Sequence, residues 1–138
     1  MSKIPQEKPL VLVVDDERMI LAVVKRVLED GGVPVDVLLA GGVTEAKAAI
    51  LESLSDGRKR ISAVLTDWNM NDGIGAEVVE AAHDAEIASV GVMTGRIEDN
   101  QEDIRATGVT LILEKAFDRD ELRWMIALLL GPQSEAKP

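Results

Sequence analysis

The chain has 138 residues, enough to bury one sizeable core and too few for two comfortable domains; 46% are hydrophobic and 29% charged, the balance of a globular protein. A formal net charge of −10, with Trp68, Phe117 and Trp124 as the whole aromatic complement, argues against a nucleic-acid surface, which needs a concentrated cationic patch or base-stacking rings. The lack of cysteine excludes disulfides, thiolate metal sites and a thiol nucleophile; no apolar run approaches the ~20 residues that span a bilayer, and MSKIPQEKP has no apolar signal core, so cytoplasm is the expected compartment.

The first apolar run, LVLVV at 10–14, shows no alternation, as a strand covered on both faces should. Ile20, Val23, Val24, Val27 and Leu28 then recur at helical spacing opposite Lys25, Arg26, Glu29 and Asp30, with Gly31 placed as a C-terminal stop. The pattern continues with strands over 35–40, 61–66, 89–94 and 110–114, each followed by a helix, over 44–55, 76–85, 97–106 and 119–130. Five such units predict an α/β fold, a doubly wound three-layer sandwich with a parallel sheet between helices. One domain is expected over 8–131, with 1–7 and 132–138 as tails.

Ligands of an open parallel sheet bind outside the C-terminal strand ends, so the polar residues there carry the functional signal. They are Asp15 and Asp16 after the first strand, Asp67 after the third, Thr94 after the fourth and Lys115 after the fifth. Three carboxylates meeting in one crevice repel unless a cation joins them, and hard oxygen ligands suit Mg²⁺. Lys115 supplies a point charge for an anion and Thr94 a hydroxyl donor. Asp67 stands alone and is the expected nucleophile of a phosphoryl-transfer site, while Asp15 and Asp16 hold the metal as a pair. Singly, each of these is more simply a helix cap, a turn cap or a surface lysine. Jointly, at the ends of four strands in an apolar sheet, coincidence is a poor account.

The segments VLVVDDE, LTDWNM, VMTG and LEKAF are similar, in order and spacing, to the signatures of the receiver domain of two-component response regulators, the family typified by the bacterial chemotaxis response regulator. The resemblance covers residues 9–130 and implies a flavodoxin-like (βα)5 sheet of order 2-1-3-4-5. It implies that Asp67 is the phosphoacceptor, taking its group from the phosphohistidine of a sensor histidine kinase or phosphotransfer protein. Asp16 would be the direct Mg²⁺ ligand, Asp15 its largely water-mediated companion, and Asn69 the residue whose backbone carbonyl completes the metal shell. Thr94 and Lys115 would contact the phosphoryl oxygens.

The chain also departs from the family. Met70 is followed by Asn71, Asp72 and Gly73 in place of proline and a longer turn, which bears on the start of the third helix. Ala116 replaces the usual cis-proline after the lysine, so either a strained cis bond is kept or the lysine loop is rearranged. Ile112 replaces the aromatic switch residue, so a signal should travel by loop and helix movement. The fourth helix, with only Ile97 and Ile104 as strong apolar anchors, fits such movement. In the last helix Leu122, Met125 or Ile126, and Leu129 form the core face, leaving Trp124 and Leu128 toward solvent and Met125 at the border. These three are the expected face for a downstream protein or a homodimer. By the same resemblance Asn69 and Arg96 would occupy positions that in the family tune phosphate lifetime, and His83 reads as a surface residue.

The leading expectation is a protein switch with only self-phosphorylation and self-dephosphorylation chemistry, acting through another protein rather than nucleic acid or membrane. A receiver excised from a larger regulator is the alternative. A haloacid-dehalogenase-like phosphatase fits less well, because VVDDE is not its Asp-x-Asp, and a nucleotide or flavin module lacks its Gly-rich motif.

Overall fold

Strands with apolar residues on both faces belong in the middle of a sheet, and the chain obeys this. The computed structural model describes residues 8–30 and 34–131; Gly31, the expected helix stop, and the two tails lie outside the described residues. In chain order the elements are β1 (Leu10–Val14), α1 (Arg18–Asp30), β2 (Asp36–Ala40), α2 (Val43–Glu52), β3 (Ile61–Asp67), β4 (Asn69–Met70), β5 (Gly73–Ile74), α3 (Gly75–Asp84), β6 (Val90–Thr94), α4 (Ile97–Ala106), β7 (Leu111–Glu114) and α5 (Arg119–Leu130). Five strands form a parallel sheet in the order β2-β1-β3-β6-β7. With the two short strands β4 and β5 set aside as a separate hairpin, this is the expected order 2-1-3-4-5.

The inner strands β1, β3 and β6 are almost wholly buried, whereas the edge strands β2 and β7 keep exposed positions. Alternation then sorts the side chains. Leu12, Val14, Val64, Val90 and Val92 pack with α2, α3 and Ile104 of α4 on one face. Val11, Val13, Ala63, Leu65 and Met93 pack with α1 and α5 on the other. The two cores are the outer interfaces of the three-layer sandwich.

Two helical faces differ from the expected stripes. In α1 the core residues are Leu21, Val24, Val27 and Leu28, while Val23 is 52% exposed and Ile20 half-buried, because the helix axis turns Leu21 rather than Val23 toward the sheet. In α5 both Met125 and Ile126 are buried beside Leu122 and Leu129. Met125 therefore does not border the solvent face. It is received by Gly91 of β6, where a Cβ would stand 2.6 Å from Met125 Cε. Trp124 and Leu128 are exposed as expected. No helix among the described residues is long and apolar enough to cross a membrane.

Candidate functional site

Register brings the polar residues together. Val14 pairs with Thr66, Asp67 with Met93, and Thr94 with Glu114, so β1, β3, β6 and β7 end nearly level and the residues that follow share one edge. Carboxylate oxygens of Asp15, Asp16 and Asp67 lie within 4.8 Å of one another. The Lys115 ammonium stands 3.0 Å from Asp15 Oδ2, 3.3 Å from Asp67 Oδ2 and 3.6 Å from Glu17 Oε1. Thr94 is buried on the neighbouring strand; its hydroxyl accepts the Arg96 N–H at 3.3 Å, and its carbonyl accepts the Lys115 N–H at 2.7 Å.

Each acid has its own seat. Asp15 is wholly buried, its Oδ1 accepting the Glu17 N–H at 2.8 Å in a turn that precedes α1. Its Oδ2 takes no backbone N–H and faces the Lys115 ammonium at 3.0 Å. Asp67 Oδ1 accepts the Trp68 N–H at 2.8 Å. Asp16 caps no helix; its Oδ2 accepts the Asn71 N–H at 2.7 Å. Burial first, then the charge of Asp15, pushes the Asp67 carboxyl up to about 6, against the pull of Lys115 and the Trp68 N–H. Burial acts to lower Lys115, but Asp15 and Asp67 outweigh it and hold the ammonium above its ordinary value. The crevice therefore carries more negative charge than one lysine offsets. The three hard carboxylates, two of them buried, fit a divalent cation such as Mg²⁺.

The short segment after Asp67 forms a tight hairpin, with Asn69 opposite Ile74 and Met70 opposite Gly73, and α3 starts directly behind it at Gly75. Asp72, at its tip, accepts the Val43 and Thr44 N–H groups at the start of α2. Both those bonds hold its carboxyl below its ordinary value. Sequence reasoning placed no function on Asp72, nor on Glu17 beside the lysine. A carboxylate next to a glycine in a turn was the available signal, and nothing local distinguishes it from an ordinary turn residue.

The lysine loop is rearranged. Among the described residues there is no cis peptide bond, and Ala116 follows Lys115 at φ +67°. A left-handed conformation costs a residue with a Cβ about 1–2 kcal/mol. Ala116→Gly is expected to stabilise the protein by about 0.5–1 kcal/mol in urea unfolding, net of glycine's extra freedom in the unfolded chain. Ala116→Pro, whose ring demands a negative φ, is expected to destabilise it by more than that. A stabilising proline would mean the loop is free to adopt the family's form.

These features define a doubly wound, flavodoxin-like α/β domain whose strand ends carry an acidic crevice with one lysine. The family profile of the response regulator receiver domain matches residues 11–127, and the chain belongs to that family, which serves two-component phosphorelay signalling. It is similar in structure to a CheY-like response regulator receiver domain protein from Methanospirillum hungatei JF-1, at 25% identity over 92% of this chain and 97% of that one, with a TM-score of 0.78. A response regulator receiver protein from Pseudomonas putida is 28% identical over 88% of this chain and 98% of that one, with a TM-score of 0.72. A receiver domain protein from Clostridium thermocellum is 26% identical over 91% and 97%, with a TM-score of 0.77. No curated protein sequence matches the chain.

Proposed function

We propose that this receiver accepts a phosphoryl group on Asp67 from the phosphohistidine of a sensor histidine kinase or phosphotransfer protein, and that the modification switches its contacts with a further protein. The observation that carries this is the buried Asp67 carboxylate, 3.3 Å from the Lys115 ammonium and clustered with Asp15 and Asp16. An Asp67 oxygen forms the O–P bond as the P–N bond to histidine breaks, and the departing nitrogen keeps the electron pair. With its carboxyl at about 6, Asp67 is mostly ionised and able to attack at neutral pH. Lys115 offsets charge on the transferring oxygens, and Thr94 offers them a hydroxyl. Asp16, Asp15, Asp67 and the Asn69 carbonyl would hold Mg²⁺, which when bound offsets the same developing charge. No turnover of an external substrate is assigned. The exposed Trp124 and Leu128 on α5, at 65% and 44%, offer an aromatic and aliphatic anchor to a partner.

The test uses Trp68, buried immediately after Asp67. Acetyl phosphate with Mg²⁺ is expected to change its emission and add the mass of one phosphoryl group, in protein whose exposed Trp124 has been replaced. Asp67→Asn is expected to abolish the donor-dependent part of both signals. Equal responses of the two proteins to the donor would refute the assignment.

A further inference from the structure

The tip of the β4–β5 hairpin is held by bonds that leave the hairpin in two directions. The Asn71 N–H donates to Asp16 Oδ2 at 2.7 Å. One residue on, the Asp72 carboxylate accepts the Val43 N–H at 2.8 Å and the Thr44 N–H at 3.0 Å. Those are the first amides of α2, which the helix cannot satisfy itself, and the flanking residue, Gly42, has no side chain to do so. Gly42 also makes the seat, since a Cβ there would stand 2.7 Å from Asp72 Oδ1. Only Asn71 and Asp72 separate the paired residues Met70 and Gly73, so the turn has little slack between its two anchors.

Charge favours this arrangement. A further carboxylate directed at the acidic crevice would add to its repulsion, whereas on α2 it meets the positive end of the helix dipole. Resting on the receiver reading, we propose that Asp72 is a positioning residue: by pinning the turn to α2 it holds the Asn71 N–H on Asp16, and so sets the Asp16 carboxylate for a divalent cation. The coupling is reciprocal. A cation that favours the held form of Asp16 must tighten Asp72 on α2 by the same free energy.

Mg²⁺ alone is the probe, read by Trp68 emission and by hydrogen exchange at the Asn71, Val43 and Thr44 amides. Asp72→Ala and Gly42→Ala, which remove the carboxylate or its seat, are expected to weaken Mg²⁺ binding about tenfold, the usual effect of losing a support behind a ligand. Asp72→Asn keeps one acceptor oxygen and is expected to recover part of the loss. In wild type, Mg²⁺ is expected to slow exchange at Val43 and Thr44; in Asp72→Ala it should not. Lower thermal midpoints with unchanged Mg²⁺ affinity would make Asp72 a structural cap only and overturn the proposal. If the variants do not fold, wild type decides alone: exchange at Val43 and Thr44 indifferent to bound Mg²⁺ overturns it. Failure of wild type to bind Mg²⁺ or to accept phosphoryl from acetyl phosphate removes the receiver reading itself, and the proposal with it.

Discussion

Metal-free protein carrying Asp67→Asn is expected to be more stable than wild type at neutral pH, by about 1–2 kcal/mol, and Lys115→Ala less stable, by about 2–4 kcal/mol. Both follow from an acidic crevice in which one ammonium faces the buried Asp15 and Asp67. Raising the Asp67 carboxyl from 3.8 to about 6 corresponds to about 3 kcal/mol against the charged form, reduced here for solvent at the crevice mouth. The sign follows from proton binding. Between those two values the folded protein holds a proton that the unfolded chain has released, so stability falls as pH rises, and the full penalty applies above about 6.

Asparagine keeps an acceptor for the Trp68 N–H and removes the charge, while Lys115 retains Asp15 and Glu17. The advantage of Asp67→Asn should therefore vanish below the ordinary carboxylate range and grow to a plateau above about pH 6. Lys115→Ala removes the only cation paired with these acids among the described residues and leaves their charge uncompensated. Urea unfolding across this pH range measures both effects. Asp67→Asn no more stable than wild type at neutral pH would show that the crevice is not under charge strain. Mg²⁺ at about a hundredfold excess over its dissociation constant should add about 2.7 kcal/mol to wild type. It should add less to the variant, which lacks one proposed ligand.

Gly75→Ala is the second large effect. At the start of α3 a Cβ would stand 2.5 Å from the Asp67 carbonyl oxygen, 3.1 Å from Trp68 Cα and 3.2 Å from the Trp68 ring. Two of these neighbours are backbone at the end of β3, where the Gly75 N–H also donates to the Trp68 carbonyl at 2.6 Å. Neither can rotate aside, so the helix or the phosphoacceptor strand end must shift. A loss of about 2–3 kcal/mol, at the upper range for overpacking, is expected in urea unfolding, with changed Trp68 emission in the folded state. Wild-type stability and emission would mean that α3 can slide without disturbing Asp67. The proximity also explains how a hairpin tighter than the family's longer turn is accommodated: α3 begins against the strand end, and only glycine allows that approach.

Much of the fold was legible because its determinants are local. Unbroken apolar runs read directly as inner strands, and their polar successors at 15, 16, 67, 94 and 115 fall on one edge because parallel strands share a direction. Periodicity was weaker at helix faces. It did not choose between Met125 and Ile126, adjacent on α5, as the core residue; the fold buries both, because Gly91 leaves space on β6 for Met125. Nor did it place Leu21 rather than Val23 against the sheet.

The five strand–helix units and the edge on which Asp15, Asp16, Asp67 and Lys115 lie could be read from the chain alone, since each rests on contacts within one element or on the shared polarity of the strands. The supports of the crevice depend on contacts between distant parts of the chain. Among these supports is the left-handed Ala116, next to the Lys115 that reaches Asp15 and Asp67. Asp72 caps a helix whose first amide lies 29 residues earlier in the chain. Such a bond between loops of different strand–helix units leaves no periodic trace, because neither local spacing nor residue type says which loops the sheet will place side by side.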